Sequence, residues 1–269
     1  METNEWLQKE LELIGKWEKD QGSLMIWERL GRLPYKLLDK ITPKFIHEKI
    51  GVLLDELGSY IQTGGKYLIN EKAAFKLIEK STGNKVESFT DAANAPIAAM
   101  DQACSDLAGQ RKKFAAFQGA STGIGGIFTL AVDIPALLAT SLKTLQEIAL
   151  IYGYDPNEKN ERIFIVKCLQ FSSADIVGKQ AILNSLSAAG RQGEVMSELQ
   201  GWREVVYAYR DQFGWKKLFQ MVPIAGIVFG AWSNRSMIAD LSETGQMLYK
   251  KRRILDRLAE NEQNGEKLS

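Results

Sequence analysis

Phe117-Gln-Gly-Ala-Ser-Thr-Gly-Ile-Gly-Gly-Ile-Phe-Thr-Leu-Ala-Val132, followed by Asp133-Ile-Pro135 and an apolar run to Tyr152-Gly153, decides the reading of this chain. From Phe114 to Leu142 the only charged side chain is Asp133. Gly119 and Gly123 stand four residues apart, on one face of a helix. The stretch Leu218 to Trp232 carries similar chemistry, with Pro223 near its start and Gly226 and Gly230 again four apart. An interior glycine costs a helix about 0.5–1 kcal/mol relative to alanine. Its presence in both apolar segments predicts two helices that approach closely across their small faces. Gly119, Gly123, Gly126, Pro135, Pro223, Gly226 and Gly230 are therefore the candidate residues for helix–helix or membrane contact. Asp133, followed by Pro135, is a candidate buried or helix-capping carboxylate.

Neither segment reads as a conventional transmembrane helix. A span needs about 20 mostly apolar residues. Ala115 to Val132 is diluted by Gln118, Ser121, Thr122, Thr129 and glycines, and Leu218 to Trp232 is too short. Placing Asp133 in hydrocarbon costs on the order of 3 kcal/mol. A reversible, interfacial association is the stronger form of a membrane reading.

Outward from these segments, the apolar periodicity is helical throughout. Trp6, Leu7, Leu11, Ile14 and Trp17 recur at helical spacing, as do Leu53, Leu54, Leu57, Tyr60 and Ile61 before Gly64-Gly65. Asn70 caps a helix through Lys80, and Asn84 to Ala93 reads as a polar loop. Asn94-Ala-Pro96 opens an alanine-rich helix that enters the glycine-rich stretch, and Asp133-Ile-Pro135 marks a second start after a turn near Val132. Gly153 is a C-terminal stop. Ser233 or Asn234 caps the last helix. No run alternates at period two, so the fold is all-α: a multi-helix bundle with two central glycine-rich apolar segments. The expected organisation is an N-terminal helical arm over residues 1–83, a main bundle over 94–260 and a polar tail over 261–269.

Arg29, Arg32, Lys36 and Lys40 fall at steps of three and four beside Trp27, Leu30, Leu33 and Leu37. Such a basic stripe suits the anionic headgroups of a membrane, or else a solvated face. Lys250-Lys-Arg-Arg253 reads as a solvated cluster that complements the C-terminal half of a helix dipole, with a second lipid-headgroup contact as the alternative. The formal net charge of +1 gives no case for nucleic acid. His47 is the only histidine, and Cys104 and Cys168 are isolated, so no multi-histidine metal site or disulfide framework is expected. No phosphate-binding loop is present, and no cofactor is expected. The N-terminus lacks an apolar signal segment, which fits the cytoplasm.

Gly119-Ala-Ser-Thr-Gly123, Asp133-Ile-Pro135, Ile148-Ala-Leu-Ile-Tyr-Gly-Tyr-Asp155 and Pro223-Ile-Ala-Gly226 with Asn234 beyond, in that order, resemble the EcsC protein family. The resemblance covers about residues 60–250 and leaves residues 1–44 outside. It implies a bacterial helical protein associated with the inner face of the cytoplasmic membrane; the family takes its name from an operon that also encodes an ABC transporter. It implies no catalytic residues. The leading expectation is a non-enzymatic, membrane-peripheral protein that binds anionic lipid or a membrane protein, such as a transporter. A soluble helical scaffold and a lipid-modifying hydrolase are the alternatives. A cavity between the glycine-bearing helices would favour the hydrolase, and a packed contact there the scaffold.

Overall fold

A computed structural model describes residues 2–21, 59–64, 69–123, 130–174, 176–188 and 223–268. Arg29, Arg32, Lys36, Lys40, His47 and Gly126 lie outside the described residues. The fold is all-α, and no strand occurs among the described residues. The helices are α1 (Asn4–Gln21), α2 (Glu71–Thr82), α3 (Phe89–Asn94), α4 (Ile97–Gly123), α5 (Leu130–Ile151), α6 (Lys159–Ser173), α7 (Ile176–Ala188) and α8 (Pro223–Leu268).

Local chemistry sets several of these boundaries. The Asn70 side chain accepts the Ala73 N–H, opening α2. The segment read as a polar loop holds α3, which a capping box creates: Asp91 N–H donates to Ser88 Oγ, and Asp91 Oδ2 accepts the Ser88 N–H. At the end of α5, Gly153 takes φ +78°. The Tyr154 N–H reaches the Ala149 carbonyl and the Gly153 N–H the Leu150 carbonyl, a Schellman closure. A β-carbon on Gly153 would stand 2.5 Å from the α-carbon of Ala93, so glycine also lets α3 pack on this turn.

Three boundaries differ from the sequence reading. α5 begins at Leu130, so Asp133 stands inside its first turn and Pro135 inside the helix. Ser233 and Asn234 do not cap a last helix, because α8 runs unbroken for 46 residues, about 69 Å at 1.5 Å per residue. The polar stretch after Glu260 continues that helix to Leu268.

One apolar cluster unites the described helices. Leu7 and Ile14 of α1 and Phe75 and Ile78 of α2 join Met100, Leu107, Leu145, Ile148, Leu169, Phe171, Tyr249 and Ile254. The described residues of α1 and α2 thus take part in the same core as α4, α5, α6 and α8.

α4 and α8 form the spine and run antiparallel. Lys250 Nζ donates to Asp101 Oδ2 at 2.7 Å, while Gly119 meets the backbone of Gly230. α1 lies antiparallel along α8 as well: Glu10 pairs with Lys250, and Trp17 Nε1 donates to Glu243 Oε1 at 2.8 Å. The spine has two ends of opposite character.

Candidate functional site

At the end formed by the start of α4 and the second half of α8, charge is matched internally. Lys250 pairs with both Glu10 and Asp101 at 2.7 Å, and Lys251 pairs with Glu18 at 2.7 Å. Arg252 pairs with the buried Glu161 and stacks its guanidinium 4.0 Å from the Tyr154 ring centroid. Arg253 Nε donates to the Tyr152 carbonyl at 2.9 Å. The 250–253 cluster is therefore not a solvated face; it is a set of fasteners that together reach α1, α4, α6 and the turn after α5. Arg257 adds another, donating to Glu2, whose Oε1 in turn accepts the Ile97 N–H that opens α4.

Inside this network the Tyr249 hydroxyl donates to Glu161, and the Tyr152 hydroxyl donates to Asp101. Burial pushes the Tyr152 and Tyr249 hydroxyls and the Cys104 and Cys168 thiols well above their ordinary pKa values. Burial likewise raises the Glu161 carboxyl, against the opposing pull of Arg252. The hydroxyls and thiols held protonated in this way serve as hydrogen-bond donors and packing elements, while Glu161 accepts from Tyr249 and Arg252. Among the described residues no His/Cys/Asp/Glu group is arranged to hold a metal ion.

The opposite end of the spine is built the other way round. Gly119 and Gly230 are buried against each other, and Ser233 and Asn234, with 4% and 2% exposure, are buried beside them. A β-carbon on Gly119 would stand 2.6 Å from the Gly230 carbonyl carbon and 2.9 Å from Asn234 Nδ2. At about 100° per residue, Phe117 projects roughly opposite Gly119, and Val228 and Trp232 roughly opposite Gly230. These side chains, with Phe114, are exposed: 51% for Phe114, 73% for Phe117, 69% for Val228 and 60% for Trp232. Among the described side chains, small and polar groups line the contact while Phe114, Phe117, Val228 and Trp232 are exposed. That inverts the usual arrangement of a water-soluble helix pair and matches what helices do in lipid.

The sequence-derived candidates are distributed as follows. Gly119 and Gly230 meet at the crossing. Gly123 is the last residue of α4, Pro223 opens α8, and Gly226 lies in its first turn. Pro135 and Asp133 lie near the start of α5. At Gly119 and Gly230 the backbones of α4 and α8 are in contact. The sequence reading missed Phe114, Phe117, Val228 and Trp232. Their signal was present, since each lies on the helix face away from a glycine.

Among the described residues no helix is long and apolar enough to cross a membrane. No solved structure matches the chain. An uncharacterised Bacillus subtilis (strain 168) protein, YdbA, is 56% identical over 269 residues, covering 98% of this chain and 99% of that protein. Protein EcsC of the same organism is 32% identical over 138 residues, 51% of this chain and 57% of that protein. The EcsC protein family matches residues 8–254, reaching further toward the N-terminus than the four motifs suggested and taking in the 29–40 stripe. On that match, spanning nearly its whole length, this chain belongs to the EcsC protein family.

Proposed function

We propose that this chain is a membrane-peripheral helical protein that rests on a lipid bilayer through the end of α4 and α8 carrying Phe114, Phe117, Val228 and Trp232. The observation that carries the reading is the inversion at that end: buried glycine, serine and asparagine, exposed aromatic and aliphatic side chains. Moving one such side chain from water into an apolar phase contributes about 1.5–3 kcal/mol. Four of them outweigh the order of 3 kcal/mol that Asp133 costs if it enters hydrocarbon charged. Aromatic side chains also favour the boundary between headgroups and acyl chains.

The packed contact between Gly119 and Gly230 is equally what a soluble scaffold would contain, so that reading stands as the second one. The two differ in what the outer face does. Flotation of purified protein with phosphatidylcholine and phosphatidylglycerol vesicles separates them. The parent is expected to float. The variant Phe117→Ser with Trp232→Ser is expected to remain in the dense fraction with its helical content intact. A parent that stays dense at low salt overturns the membrane reading and leaves the scaffold.

A further inference from the structure

From the placement of cations that have no ion pair among the described residues we infer that Lys112, Lys113, Lys143 and Arg235 form a belt that holds the protein on anionic phospholipid headgroups, with the ends of α4, α5 and α8 beyond them inserted to the depth of one leaflet. This inference rests on the docking reading above and adds its chemistry and its depth. Lys112 and Lys113 immediately precede Phe114 on α4, and Arg235 follows Trp232 on α8. The Gly119–Gly230 crossing sets these two helices in register, so Arg235 lies near the level of Lys113. On α5, Glu147 pairs with Arg111. Lys143 lies one turn nearer the uncharged end than Glu147, which brings it to the same level.

Beyond that level the described helices are nearly free of charge. In α4 after Lys113, in α5 before Lys143 and in α8 before Arg235, the one charged residue is Asp133. Among the described residues the four belt cations form no ion pair. This is the reverse of the opposite end, where Lys250, Lys251, Arg252 and Arg257 each have a carboxylate partner. Lys113 and Arg235 are exposed, and Lys112 and Lys143 are half-buried; a half-buried lysine can lay its stem on apolar surface and still present its ammonium to a headgroup. From Lys113 to Gly123 the helix rises about 15 Å, half the ~30 Å hydrocarbon core of a bilayer. A cation ring at that height matches the headgroup plane when the end beyond it is immersed.

The test compares flotation with vesicles of phosphatidylcholine alone and of phosphatidylcholine mixed with phosphatidylglycerol, at low and high salt. The parent is expected to prefer the mixed vesicles, and added salt should weaken that preference. The variant Lys112→Gln, Lys113→Gln, Lys143→Gln, Arg235→Gln should lose mixed-vesicle binding by more than about tenfold while keeping its melting temperature. A control with the same charge change on exposed lysines elsewhere, Lys9→Gln, Lys16→Gln, Lys72→Gln, Lys76→Gln, should bind as the parent does. If the belt variant floats like the parent, or the control loses as much, the belt is refuted while docking stands. If the parent floats with neither vesicle, the docking reading fails and the belt falls with it.

Discussion

Gly119 turns its bare α-carbon to the carbonyl group of Gly230, closely enough that a β-carbon would overlap it. Alanine at this position must push α4 and α8 apart or displace the buried Asn234. Gly119→Ala should therefore lower stability by about 1–3 kcal/mol, as overpacking does elsewhere. Gly109 lies on the same helix with nothing within 4 Å of the corresponding point. Gly109→Ala should stabilise by a few tenths to about 1 kcal/mol through helix propensity alone. Urea denaturation of the two variants checks the contrast; equal effects of the same sign would show that the crossing is not tight.

A second expectation concerns α4 and α5. Arg111 Nε donates to Glu147 Oε2 at 2.9 Å, and the Glu147 side chain is 3% exposed. Removing the arginine leaves a buried carboxylate without its partner. Arg111→Met should cost about 3–5 kcal/mol, and adding Glu147→Met should return most of it, because the two charges are then removed together. A double-mutant cycle in denaturant reads the coupling; simple additivity of the two single losses would contradict it.

Acid stability should report on the clamp at the other end. Burial alone would raise the Glu2 carboxyl, but the Ile97 N–H and the Arg257 guanidinium outweigh it and hold the group below the ordinary carboxylate range. A depressed folded pKa gives stability that is present above the unfolded value and lost as pH falls through the folded one. Glu2→Gln should therefore be less stable than the parent at neutral pH and converge with it in acid. Denaturation midpoints across that range test this, and a gap that widens toward acid would reverse the sign.

The spine was readable in the sequence because its cause is local. A glycine inside an apolar helical pattern is costly unless something comes close, and Gly119 and Gly230 are both of that kind. Gly153 was readable for a similar reason, since the apolar helix stops there. The α3 helix was missed although Ser88 and Asp91 stand at capping-box spacing, because the polar composition around them suggested a loop. In sequence Ser233 and Asn234 read as caps because short polar residues favour helix starts. Both are buried inside α8, Asn234 beside Gly119 of α4, so tertiary contact uses a short polar residue within a helix instead. Lys250 to Arg253 were misread for a different reason. Their partners, Glu10, Asp101, Glu18 and Glu161, are remote in sequence, and nothing next to the cluster indicates them.

The register of α4 against α8 makes the two ends depend on each other through winding. One alanine inserted between Asp240 and Gly245 would turn everything after it by about 100° relative to everything before it. Gly230 could then keep facing Gly119, or Arg257 could keep reaching Glu2, but the same rigid rod could not satisfy both. The aromatic end can therefore be rotated out of alignment with the rest of the molecule by a change made far from any residue that would touch lipid.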